Sequence, residues 1–174
     1  MSKELTGLEF DPEDIDNHVL FLHGKESTPY GSKYGTLHEN FSVDSPDFQG
    51  MGIWERLEKI ENLTEGMSDL VVVGSSYGGL LAGLLYNRHP DRIKGYVLMA
   101  PAFNYEEAGE IDKVPEQAFV IHGSNDSVVP IDEVAQFCEE RGLPFIEVED
   151  EHRLRQSHDL MVDKVNQILN KQAK

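Results

Sequence analysis

Apolar residues along the chain fall into two alternating patterns. Short, nearly unbroken runs at 18–24 (HVLFLHG), 41–48 (FSVDSPDF), 69–76 (DLVVVGSS), 94–101 (KGYVLMAP), 117–124 (QAFVIHGS) and 144–150 (PFIEVED) have the length and residue types of strands. Between them, apolar residues recur at helical spacing, as Ile53, Leu57, Ile60 and Leu63 do in 52–64. Helices are likewise predicted at 31–40, 77–90, 130–142 and 157–171. Pro90 stops one of them, Pro130 and Gly142 bracket another, and Ser157 stands at the N-cap of the last.

Strands alternating with helices predict an α/β fold: six mostly parallel strands with helices on both faces. The uninterrupted Leu70–Val73 run is what burial on two faces requires. In such sheets ligands bind beyond the carboxyl ends of the strands, so the residues just after each strand carry the functional question. The length of 174 residues fits one domain, with residues 1–16 as an acidic N-terminal extension.

Charge narrows the partners. Fifteen Lys and Arg against 32 Asp and Glu give a net charge of −17. The basic residues are scattered, so there is no face for nucleic acid or an anionic membrane. No apolar run approaches the ~20 residues of a membrane span. The start of the chain lacks the apolar core of a signal peptide, and the lone Cys138 has no internal disulfide partner. A cytoplasmic protein with a small-molecule substrate is expected, without metal or cofactor.

The candidate chemistry begins at Gly74-Ser75-Ser76-Tyr77-Gly78, a G-x-S-x-G motif between a strand and a helix. A sharp turn there lifts the Ser76 oxygen clear of the backbone, and the helix start supplies free N–H groups. A turn kept small for close packing and a phosphate-binding loop are the competing readings. The second lacks both G-x-G-x-x-G and a following lysine. A serine nucleophile needs a base. His18, His38 and His89 read as surface residues; His23 and His122, each before a glycine at a strand end, read as structural. His152, in the loop after the last strand, is favoured over His158, which falls at the start of the last helix. Asp126, just past a strand in a turn of small polar residues, lies between serine and histidine in chain order. Asp150 and Glu151 are too near His152 along the chain. The Tyr77 N–H and the Lys25 N–H, the latter after the first strand and next to Gly24, are the candidate oxyanion donors.

Together, LHG at 22–24, GSSYGG at 74–79, HGSNDSVVP at 122–130 and EHRL at 151–154 resemble the α/β-hydrolase superfamily. LHGKESTPYGSK and EHRL look more closely like the small bacterial esterases of the YqiA type. In those, an aromatic residue follows the glycine where Lys25 stands, and an aspartate precedes the histidine where Glu151 stands. The resemblance implies a minimal α/β-hydrolase fold without a large lid, since only about fifteen residues follow the strand at 94–101 before the next begins. It implies no counterpart to the superfamily's first two antiparallel strands in residues 1–16. Tyr30, Phe103 and Tyr105 are candidates to border a substrate pocket. The implied activity is a Ser76–Asp126–His152 hydrolase of short soluble esters or thioesters through an acyl-enzyme. The alternative is a noncatalytic binding module of the same fold.

Overall fold

The computed structural model describes residues 17–170; the expectations for residues 1–16 and for Lys171 lie outside these. Six strands and five α-helices alternate: β1 (His18–Leu22), α1 (Ser32–Asn40), β2 (Ser42–Asp44), α2 (Ile53–Leu63), β3 (Leu70–Ser75), α3 (Tyr77–Arg88), β4 (Ile93–Met99), β5 (Gln117–Gly123), α4 (Ile131–Arg141), β6 (Phe145–Val148) and α5 (His158–Asn170). The strands form one sheet in the order β2-β1-β3-β4-β5-β6. Every adjacent pair is parallel, so the sheet is more uniform than the mostly parallel one expected.

The two-residue period of the strands sorts their side chains into two cores. Leu20, Leu22, Leu70, Val72, Tyr96 and Leu98 face α2, α3 and α4. Val19, Phe21, Val71, Val73, Val97 and Met99 face α1 and α5. Double-sided burial explains why β3 and β4 read as continuous apolar runs. Helix α3 is enclosed on all sides, with Leu80, Leu81, Leu84 and Leu85 almost inaccessible. This matches a sequence apolar around its whole circumference.

The chain leaves β1 outward to β2, then returns across β1 to β3 and proceeds the other way. The carboxyl ends of β1 and β3 therefore diverge at a switch point, where such sheets open a crevice. The loop after β1 and the turn after β3 meet there. Their backbones nearly touch: a Cβ on Gly78 would collide with the Leu22 carbonyl, and one on Gly74 would lie 2.5 Å from the Gly78 oxygen.

All six strands are shorter than their predicted runs, two of them by about half. The 41–48 run keeps only Ser42–Asp44 in the sheet. Pro46 has no N–H for the ladder, the Ser45 hydroxyl donates to the Pro29 carbonyl (2.6 Å), and the Phe48 N–H donates to His23 Nε2 (2.9 Å). The 144–150 run keeps Phe145–Val148. Asp150 is taken up by the following loop, accepting from the N–H groups of Glu151 (2.8 Å) and Gln156 (2.9 Å) and from the Ser157 hydroxyl (2.8 Å). Ser157 directly precedes α5 as predicted, with its hydroxyl committed to Asp150. Gly142 closes α4 in the left-handed conformation, at φ 70°.

Candidate active site

Ser76 links β3 to α3 at φ 55° and ψ −112°, a conformation that costs a non-glycine residue about 1–3 kcal/mol. The surroundings hold it there. The Ser76 N–H donates to the Met99 carbonyl (2.9 Å), and the Ser76 carbonyl accepts from Gly79 (2.9 Å) and Ala102 (2.9 Å). Ala100 and Leu154, at φ 48° and 51°, also take positive φ, at the end of β4 and after β6. Three of the four non-glycine residues with positive φ among those described thus gather at this edge of the sheet.

Three side chains meet over the turn. His152 Nε2 lies 3.1 Å from the Ser76 hydroxyl oxygen, and His152 Nδ1 lies 2.7 Å from Asp126 Oδ2. The carboxylate fixes the tautomer: Nδ1 carries the proton that Asp126 accepts, leaving the Nε2 lone pair toward Ser76. The Asp126 side chain is fully shielded from solvent and that of His152 is 20% exposed. The other Asp126 oxygen, Oδ1, accepts the N–H groups of Val128 and Val129, both at 2.8 Å. This is the turn chemistry expected of aspartate, here leaving Oδ2 to accept from the imidazole.

A second histidine reaches the same carboxylate. His122 Nε2 is 3.2 Å from Asp126 Oδ2 and 3.0 Å from the Val129 carbonyl. Facing two acceptors, Nε2 must carry the proton. Burial alone would raise the Asp126 pKa. The bonds from His122, His152, Val129 and Val128 outweigh it and hold the group well below the ordinary carboxylate value.

The N–H of Tyr77, first in α3, and the N–H of Lys25 have no acceptor among the described residues. Gly24 borders Ser76: a Cβ there would lie 3.6 Å from the Ser76 Cβ. The Lys25 ammonium rests 5.4 Å from the Tyr77 ring centre and 5.6 Å from that of Tyr105. Tyr105 lies beside Tyr77, with ring centres 5.3 Å apart. Phe103 goes elsewhere, buried and stacked on Phe137 at 4.0 Å in the core. Tyr30 is 67% exposed and meets Tyr34 edge-on at 5.0 Å. His158 bonds Thr36 Oγ1 through Nδ1 (2.7 Å), under α1.

Two contributors were not singled out from the sequence. His122 was read only as packing. Arg56 is fully buried on α2 against the loop after β1. It has a sequence signal: it is a charged residue on the apolar stripe of Ile53, Leu57 and Ile60.

No curated protein matches the chain. Solved structures with the same fold include a protein of Xanthomonas campestris pv. campestris assigned to the α/β superfamily of hydrolases. It is 21% identical with a TM-score of 0.76, over 90% of this chain and 98% of that one. Est1E of Butyrivibrio proteoclasticus is 17% identical with a TM-score of 0.75, over 91% and 89%. A monoacylglycerol lipase of Paleococcus ferrophilus is 14% identical with a TM-score of 0.72, over 88% and 94%. The sequence model for the alpha/beta hydrolase fold matches residues 55–162, a span running from α2 through the strained serine turn and Asp126 to His152 and into α5. With most of its length inside that match, the chain belongs to the α/β-hydrolase family.

Proposed function

We propose that the protein is a serine hydrolase that cleaves short, soluble carboxylic esters or thioesters through an acyl-enzyme. The observation carrying this reading is the continuous relay from the Ser76 hydroxyl through His152 to Asp126, at 3.1 and 2.7 Å, with Ser76 strained at a helix start. In the proposed reaction, Ser76 Oγ attacks the substrate carbonyl carbon as His152 Nε2 takes its proton. The N–H groups of Tyr77 and Lys25 receive the negative charge on the carbonyl oxygen. Collapse expels the alcohol or thiol, protonated by His152. Water then attacks the acyl group with His152 again as base, which frees the acid and Ser76. Asp126 stays ionised throughout and stabilises the imidazolium.

The preference for short substrates rests on the segment between β4 and β5, which forms only one short 3-10 turn, Glu106–Glu110. The test is a panel of p-nitrophenyl esters and acyl thioesters of graded chain length. kcat/KM should be highest for short acyl groups, without a rise at a lipid interface. Binding of such compounds without turnover would favour the noncatalytic alternative.

A further inference from the structure

We infer that Arg56 is a positioning residue for the oxyanion site: its guanidinium orients and polarises the peptide whose N–H is that of Lys25. This rests on the hydrolase reading above and extends it to a residue that touches no substrate.

Arg56 is wholly buried and forms no salt bridge with a described residue. Its donors go to backbone carbonyls instead. Nε donates to Met51 (3.1 Å), one terminal nitrogen to His23 (2.9 Å), and the other to Gly24 (3.2 Å) and Lys25 (3.4 Å). A buried charge is costly; the field of Asp47 and three successive carbonyls of one loop offset that cost here. The middle carbonyl matters most. In a trans peptide C=O and N–H point in opposite directions, so fixing the Gly24 oxygen fixes the Lys25 N–H to face away from Arg56. His23 Nδ1 donates to the same Gly24 oxygen (2.8 Å), its Nε2 being occupied by the Phe48 N–H. Two side chains therefore hold one peptide that borders Ser76.

The same guanidinium lies 4.8 Å from the ring centre of Tyr77, the residue carrying the other candidate donor. One side chain thus contacts both residues that carry the candidate oxyanion donors. A charge-assisted bond to a carbonyl also makes the N–H of that peptide a stronger donor. Lysine does not reproduce this, because an ammonium lacks the planar fork that spans neighbouring carbonyls.

The test uses Arg56→Lys, which keeps a buried charge, and Arg56→Gln, which removes it. Exhaustive labelling with a fluorophosphonate counts competent sites, so misfolded protein is normalised away. Per labelled site, kcat on p-nitrophenyl acetate should fall by up to about 10²–10³-fold in Arg56→Gln, the effect of losing one oxyanion donor. Arg56→Lys should fall between that variant and wild type. KM should change little. The affinity for an alkyl boronic acid, which forms a tetrahedral adduct with serine, should fall in parallel with kcat/KM. If both variants keep kcat per labelled site and boronate affinity within about threefold of wild type, Arg56 does no more than pack the loop and the inference is overturned. It is also overturned if KM rises while kcat holds. A wild type that reacts with neither probe overturns the hydrolase reading itself, a separate outcome.

Discussion

Replacing Asp126 by Asn changes one oxygen to an amide nitrogen, and the neighbours dictate which one. The N–H groups of Val128 and Val129 each point at Oδ1 from 2.8 Å. Turning the amide nitrogen toward them would set donors against donors and break both bonds, at about 0.5–1.5 kcal/mol each. The amide oxygen therefore stays with the backbone, and the NH2 group faces His152 Nδ1. Two donors cannot share that 2.7 Å contact. His152 must move its proton to Nε2, where it points at Ser76 and can no longer accept the serine proton. His122 keeps its bond to the Val129 carbonyl, so the fold around the site should survive. Forcing this tautomer in a serine–histidine–aspartate site lowers kcat by roughly 10³–10⁴-fold, about 4–5 kcal/mol of activation free energy. The assay is kcat on p-nitrophenyl acetate, with near-ultraviolet circular dichroism to confirm folding. A folded Asp126→Asn protein within about tenfold of wild-type kcat would refute the tautomer argument.

His152→Ala should reduce kcat by orders of magnitude, whereas His158→Ala, which removes a bond to Thr36, should lower stability and leave kcat per folded molecule near wild type; the opposite ranking in esterase assays would reassign the base. Asp126 should stay ionised below the ordinary carboxylate range, because the four bonds it accepts hold its pKa down; an NMR titration in which its carboxyl carbon protonates at the ordinary value would contradict this. A depressed carboxylate pKa adds stability that is complete above its unfolded value of about 3.9 and is lost as pH falls through the folded one, so wild type should lose stability more steeply than Asp126→Asn in acid melts below about pH 4. Ser76→Gly should be inactive yet melt a few degrees higher, because glycine relieves the strain at φ 55°; an unchanged or lower Tm would count against strain at the turn.

The alternation of strands and helices was legible because double-sided burial leaves an unmistakable mark on β3 and α3. The serine turn was legible because its glycines are imposed by backbone contact, Gly78 against Leu22 above all. His152 and Asp126 could be nominated from their places after strands; that they meet Ser76 depends on sheet order, which sequence does not state. The strand at 41–48 was overread because Phe48 closes the run with a strand-favouring residue, yet Ser45 and Phe48 bond to the segment after β1. Phe103 was nominated for the pocket by position alone, and its stacking on Phe137 comes from a helix distant in the chain. Arg56 was visible as a charge on an apolar stripe, but its partners are carbonyls, and a backbone oxygen has no signature in sequence.

The most direct test of the account is to trap the covalent intermediate. The protein is mixed with a slowly deacylating p-nitrophenyl ester, quenched in acid, and its intact mass and peptides are measured. The account predicts one acyl group per molecule, on Ser76, absent in Ser76→Ala and accumulating far more slowly in His152→Ala. An acyl group on Ser75 or another residue, or turnover with no covalent species in a folded wild type, would contradict it.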